Sequence, residues 1–380
     1  MIFAFNQCGT PVYEFDYQPP DPFVSVSAVR RTIQVADNEQ VRVVVGVRQL
    51  VDNGFEPQTT TYVLDKSGEE RLSSIRATGG ETGRSLLPDG SQIWGTIVPL
   101  NFGPFENFTD ARQNLVIVRG DRNGQPLWRH ERSSFWWAEF LGVAGPRVLF
   151  WSEGRFGALD FNTGALVWSQ PTAFITSEIA LSTQLNFGVA RAEDQIIAVE
   201  ILNGTQIFTF PEEADPEYVA RTDPIISADG RVLVMMERRT FSAIDNTLVP
   251  SELSWVELDV TGQVLSETVL PYAFPGDFRE TRAEDFRDDP YPTVADDGIT
   301  YVGYGDHFWA IEPGGDIRWT LTSTMPDAFT ATVPLLRNDG IMLISRGRRD
   351  IIGVRTNGGQ MSEAGWASYR HDNDRTNFTP

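Results

Sequence analysis

The stretch that decides the fold is ALDFNTGALVW, residues 158–168. Ala158, Asp160, Thr163, Gly164 and Trp168 stand in it in an order that the chain uses again and again. DRNGQPLW (121–128) sets Gly124 four residues before Trp128, and EILNGTQIF (200–208) sets Gly204 four before Phe208. EPGGDIRW (312–319) does the same with Gly315 and Trp319. DKSGEERL (65–72), DVTGQVLS (259–266) and RTNGGQMS (355–362) keep the glycine without the ring, which brings the copies to seven. Each copy reads as a strand, a tight turn and a strand. Asp or Asn followed by Gly supplies the positive-φ turn of a hairpin. The large residue four past the glycine then sits on the outgoing strand, facing a neighbouring sheet. Burying one tryptophan there removes about 150–250 Å² from water, about 4–6 kcal/mol as an upper bound.

A second marker recurs upstream of the first. LLPDGSQIWGTI (86–97), IISADGRVLVMM (225–236), TVADDGITYVGY (293–304) and LLRNDGIMLISR (335–346) are each a strand, an Asp-Gly turn and a strand. In most copies the two markers occur in pairs, so each repeat holds four short strands. Gly124, Gly164 and Gly204 fall 40 residues apart, and Gly315 and Gly358 fall 43 apart. Four-stranded units of this period, repeated radially, predict an all-β fold: a β-propeller of four-stranded antiparallel blades. We expect a single domain over residues 1–380 with seven internal repeats, near 24–76, 84–132, 136–171, 175–211, 221–271, 290–325 and 329–363. Residues 1–23 and 364–380 are left for ring closure, with room for an eighth, composite blade.

Three repeats are longer, with extra residues between the inner strands near 49–60, 99–113 and 239–254. Insertions in a repeat array gather on one face and often make its contacts. Phe102, Phe105, Phe108 and Phe241 in these insertions are therefore the candidate binding residues.

The net charge of −21 at pH 7 argues against nucleic acid and against an anionic membrane surface. No apolar run is long enough for a transmembrane helix. Lys66 is the only lysine, which leaves little room for Schiff-base or phosphate-gripping chemistry, and Cys8 is the only cysteine, so no internal disulfide is available. The opening MIFAFNQCGTP lacks the basic region and apolar length of a signal peptide.

Ala158-x-Asp160-x-x-Thr163-Gly164-x-x-x-Trp168 resembles the tryptophan-docking repeat of pyrroloquinoline-quinone-type bacterial β-propellers. That family includes quinoprotein dehydrogenases and non-enzymatic propellers such as the scaffold lipoprotein of outer-membrane barrel assembly. Trp366, Arg370, His371, Asp372, Arg375 and Thr376 also resemble a W-x-x-x-R-H-D-x-x-R-T segment at the edge of such propellers. The resemblance implies an extracytoplasmic protein.

The enzymes of the family bind the quinone with Ca²⁺, and often carry a vicinal disulfide that one cysteine cannot form. Neither cofactor is expected here, although some quinone-dependent sugar dehydrogenases lack that disulfide too. The acidic clusters at 276–292 and 372–376 are weak candidates for Ca²⁺, since the latter lacks the glycine and distal glutamate of a calcium loop. His130, His307 and His371 are scattered, without metal-ligand spacing or a nucleophile motif. We expect no catalytic residue, but a binding scaffold for a protein or a surface polymer. A quinone-dependent oxidoreductase and a carbohydrate-binding propeller displaying Trp136 and Trp137 are the alternatives.

Overall fold

The computed structural model describes residues 2–5, 11–15, 30–35, 41–51, 54–64 and 70–78, then, apart from short gaps, 80–99, 113–241, 248–274, 291–356 and 378–379. The gaps include 122–124, 135–137, 173–174, 176–178, 326–327, 330–333 and 347–349. Side chains are described from Gly83 onward. The described residues contain strands and turns and no helix, so none of them crosses a membrane as a helix.

Strands follow one another as antiparallel meanders. β1 (Ile2–Phe5) and β2 (Pro11–Phe15) pair with each other. β3 (Arg30–Val35), β4 (Val41–Val51), β5 (Gly54–Leu64) and β6 (Glu70–Thr78) form the first four-stranded sheet. The second holds β7 (Gly80–Leu86), β8 (Gln92–Pro99), β9 (Gln113–Gly120) and β10 (Pro126–Ser134). The third holds β11 (Ala138–Ala144), β12 (Arg147–Ser152), β13 (Arg155–Asp160) and β14 (Leu166–Pro171). The fourth holds β15 (Ala180–Ser182), β16 (Phe187–Ala192), β17 (Gln195–Glu200) and β18 (Gln206–Phe210).

In the fifth, the inner position is split into β19 (Tyr218–Ala220) and β20 (Ile225–Ile226). Both pair with β21 (Val232–Phe241), followed by β22 (Leu248–Leu258) and β23 (Val264–Val269). The sixth holds β24 (Thr293–Val294), β25 (Thr300–Tyr304), β26 (His307–Ile311) and β27 (Ile317–Thr322). The last has β28 (Leu335–Leu336), β29 (Ile341–Arg346) and β30 (Asp350–Arg355). The C-terminal β31 (Phe378–Thr379) lies beside β11, so the described C-terminal residues extend the third sheet rather than pair with β1 and β2.

The chain divides into two compact units, residues 1–169 with 374–378 and residues 170–373 with 379–380. Each has its own apolar core. In the first, Ile93, Ile117, Phe140, Val148, Phe150 and Leu159 are among the buried residues, with Trp128 and Phe161 packed against them. In the second, Trp255, Tyr301, Phe308, Trp309 and Phe329 dominate.

The two sequence markers are two turns of fixed chemistry. The Asp-Gly marker closes the first hairpin of a sheet through the bonds Leu87 N to Ser91 O, Ser227 N to Arg231 O, Ala295 N to Ile299 O and Arg337 N to Ile341 O, all 2.8–3.0 Å. Asp89, Asp297 and Asp339 accept, through Oδ1, the amide of the residue two ahead. That Asx geometry is why an aspartate precedes the glycine. The other marker closes the last hairpin. Asp160 Oδ1 accepts from the amides of Asn162 and Thr163 and from Thr163 Oγ1, while the Gly164 amide donates to the Asp160 carbonyl. Asp259 repeats this with Thr261 and Gln263.

These hydrogen bonds, led by the threonine hydroxyls of Thr163 and Thr261, hold both carboxyls below the ordinary value of 3.8. A carboxyl depressed in the folded state contributes stability above its unfolded pKa and loses it as pH falls through the folded one. We therefore expect the melting temperature to fall below about pH 4, and the fall to be smaller in Asp160→Asn and Asp259→Asn. Melting curves from pH 6 to pH 2 measure it.

The same turns carry the ring positions. Gly164 has φ +69°. A Cβ built there would stand 2.7 Å from Cε3 and 2.8 Å from Cδ2 of Trp128, the ring of the preceding repeat. Trp128 Nε1 donates to the Phe161 carbonyl at 2.9 Å, tying the indole to that turn. His130 Nδ1 lies 3.1 Å from the Gly164 carbonyl. In the other unit Gly262, φ +84°, meets Phe208 in the same way, with Cγ at 2.6 Å from the would-be Cβ. The glycine is thus the seat on which the preceding repeat's ring lies. Gly315 receives no ring: the weak copy DVTGQVLS puts Ser266 at the ring position, and the Thr268 and Ser266 hydroxyls fill the space instead. Ala158 is fully buried on β13 opposite Leu149, and Trp168 is buried edge-on to Phe156. Trp319 packs on Tyr301 and Phe308 of its own sheet. Gly124, Gly358 and Trp366 lie outside the described residues.

Candidate functional site

Two of the three insertions are strand extensions rather than loops. β4 and β5 stay in register out to Val51 opposite Gly54, and β21 and β22 stay paired, across a register shift between Arg238 and Arg239, out to Phe241 opposite Leu248. The β-branched and aromatic residues of these segments suit a pleated ladder, which runs on past the sheet. The third insertion lies outside the described residues, and with it Phe102, Phe105 and Phe108; Trp136 and Trp137 are outside as well. Phe241 is therefore the sequence-designated loop residue that the structure places, at the far end of β21 with 57% of its surface exposed.

At the base of that hairpin lies a group of charges within the second unit. Glu237 on β21 is 1% exposed; its Oε1 accepts from Arg239 Nε at 2.8 Å and its Oε2 lies 3.5 Å from Arg221 Nε. Arg221 belongs to the short break between β19 and β20. It is held there by its amide on the Met235 carbonyl and by Met235 N donating to Thr222 Oγ1. Arg191, at the end of β16, donates to the Arg221 carbonyl at 3.3 Å and lies 3.8 Å from Asp223. Arg221 Nη2 reaches the Tyr304 hydroxyl at 3.4 Å, with the guanidinium 5.5 Å from that ring. Buried charges persist only when paired, and here the pairs join the fourth, fifth and sixth sheets at the end where their second and third strands meet.

An aromatic wall continues from Tyr304. Tyr272 sits edge-on to Tyr304, Phe274 and His307, at centroid distances of 5.2, 4.9 and 5.5 Å. His307 stacks on Trp309, and its Nδ1 lies 2.6 Å from Asp306 Oδ1. A glycine with φ +58° makes the turn, because a Cβ at Gly305 would strike the Tyr272 hydroxyl. His130 is likewise packed, tilted against Phe150, and burial pushes its pKa below the ordinary value. Both histidines pack on aromatic rings and make a polar contact through Nδ1. His371 lies outside the described residues. Among the described residues no group of three or more His, Cys, Asp or Glu is placed to hold a metal ion; both acidic clusters of the sequence fall outside them.

The arrangement is a network of paired charges and packed rings beside an extended hairpin. The sequence pointed to Phe241 and missed Arg191, Arg221, Glu237, Tyr272 and Tyr304, which come together only across sheets. One signal was legible: Glu237 interrupts the apolar run VLVMME with a charge.

Residues 111–273 match the family model described as outer membrane protein assembly factor BamB, in line with the resemblance carried by the repeats. Among solved structures, BamB from Moraxella catarrhalis is 15% identical, covers 88% of this chain and 90% of its own, and has a TM-score of 0.44. The WD40 domain of Neurospora crassa Pan2 is 9% identical, with 91% and 94% covered and a TM-score of 0.47. No curated protein matches the sequence.

Proposed function

We propose that the chain is a non-catalytic protein-binding scaffold of the extracytoplasmic space, built as a closed β-propeller and working without a cofactor. The observation that carries this reading is the β21–β22 hairpin, which displays Phe241 above a base locked by Glu237, Arg239 and Arg221. Aromatic residues dominate binding energy at protein interfaces. A ladder that is already paired loses little ordering entropy when a partner docks on it. The match of residues 111–273 to the BamB family supports both the scaffold role and the compartment.

Phe241→Ala tests the reading. We expect partner capture from an extract of the source cells to fall about tenfold or more, as for a hot-spot aromatic, with the melting temperature unchanged because the ring is exposed. Undiminished capture rules out this hairpin as the contact. The absence of a cofactor is tested separately: added pyrroloquinoline quinone and Ca²⁺ should give no dye reduction with sugars or alcohols.

A further inference from the structure

We propose that the outer edge of β23 (Val264–Val269) takes up an extended segment of a partner protein, one carrying a basic residue between two aliphatic ones. This inference rests on the scaffold reading but concerns a different surface from the hairpin.

The Leu270 amide donates to the Leu253 carbonyl, so Leu270 faces β22. Alternation then turns the backbone N–H and C=O of Glu267 and Val269 away from β22, to an edge that no described strand occupies, and Leu265 stands next along the strand at the register shift between Ser266 and Val264. Such a row of unpaired groups is a template for another strand. The side chains of these three residues share one face. Leu265 is 55% and Val269 54% exposed, and Glu267 between them is exposed too. The opposite face is already used, since Thr268 and Ser266 pack on Gly315 of the next sheet.

Some other outer strands carry basic charge on their edges, β10 with Arg129 and Arg132 beside Glu131 and β27 with Arg318, while β14 and β18 carry no charge. β23 has a carboxylate as its only charge. Tyr218 OH donates to Glu267 Oε1 at 2.9 Å and fixes that carboxylate on the exposed face.

The charge also says what the strand is not for. In an antiparallel pair, outward-facing residues must oppose outward-facing residues. Setting Leu265 against Val269 of a second copy therefore sets Glu267 against Glu267, and like charges directly opposite are destabilising. A segment with an aliphatic residue, any residue, Arg or Lys, any residue and another aliphatic residue satisfies all three positions at once. The net charge of −21 draws such a basic segment in.

The test uses the full chain and three synthetic peptides: Ser-Val-Thr-Arg-Thr-Val-Ser, the same peptide with Glu for Arg, and the Arg peptide with alternate amides N-methylated. We expect the Arg peptide to bind, the Glu peptide to bind about tenfold more weakly and the N-methylated one not at all. Glu267→Lys should reverse the order of the first two, an outcome that a merely structural Glu267 would not give. Phe241→Ala should leave all three unchanged, so a failure of the hairpin reading and a failure here are separable. Equal or absent binding of the Arg and Glu peptides, retained binding of the N-methylated peptide, or self-association abolished by Glu267→Lys would each overturn the proposal.

Discussion

Gly164→Ala should destabilise the protein by about 2–5 kcal/mol, a loss readable as a lower denaturation midpoint. Two costs add. At φ +69° an L-residue pays about 1–2 kcal/mol for the left-handed conformation. The new methyl would also stand 2.7–2.8 Å from the indole of Trp128, and overpacking of this kind costs about 1–3 kcal/mol. The ring cannot swing away freely, because its Nε1 is bonded to the Phe161 carbonyl and its body packs on the core of the first unit. Gly314→Ala is the control. Its φ is +91° but nothing lies within 4 Å of the would-be methyl, so only the backbone cost of about 1–2 kcal/mol is expected. Equal losses at the two glycines would show that the ring is not seated on Gly164.

Removing the carboxylate of Glu237 is the other large effect. Glu237→Ala takes from Arg239 its 2.8 Å acceptor and from Arg221 its opposite charge, in a place where the carboxylate itself is 1% exposed. Breaking a buried pair from one side costs about 3–5 kcal/mol. The arginine side chains here are 18% and 25% exposed, so water recovers part of that. About 2–4 kcal/mol is the expected loss. Glu237→Gln, which keeps the shape and one acceptor, should lose less. Since Arg221 also reaches Tyr304, the alanine variant should loosen the sixth sheet against the fifth, seen as faster amide exchange at Tyr304 and Gly305. A loss confined to β21 would contradict that link.

The fold was legible because its determinants are local. Asp160, Thr163 and Gly164 meet within one turn, so their spacing alone gives the hairpin, and the Asp-Gly marker gives the other. The ring was legible for a related reason: position four past the glycine always lands on the same place of the outgoing strand. The same rule explains its failure at Ser266, where a small hydroxyl stands and the Gly315 seat is filled by Thr268.

Of the proposed binding surface, the sequence pointed to one described residue, Phe241, which is exposed. The insertions around 49–60 and 239–254 read as extra residues between the inner strands; the structure shows paired strands, since each half finds its partner across the hairpin. The network of Arg191, Arg221, Asp223, Glu237 and Tyr304 had no local signature. Its members come from three repeats, and their burial is decided by tertiary packing.

The central claim is that the glycine of one repeat is the seat for the ring of the repeat before it, and a double-mutant cycle on Trp128 and Gly164 tests it most directly. Stability is measured by denaturant unfolding for Gly164→Ala, Trp128→Ala and the pair. If the indole lies on Gly164, removing it frees the space the methyl needs. The alanine at 164 should then cost at least about 1 kcal/mol less in the Trp128→Ala background than in the parent. Costs that add to within about 0.5 kcal/mol would mean that the two positions do not meet, and the account of the seam would be wrong.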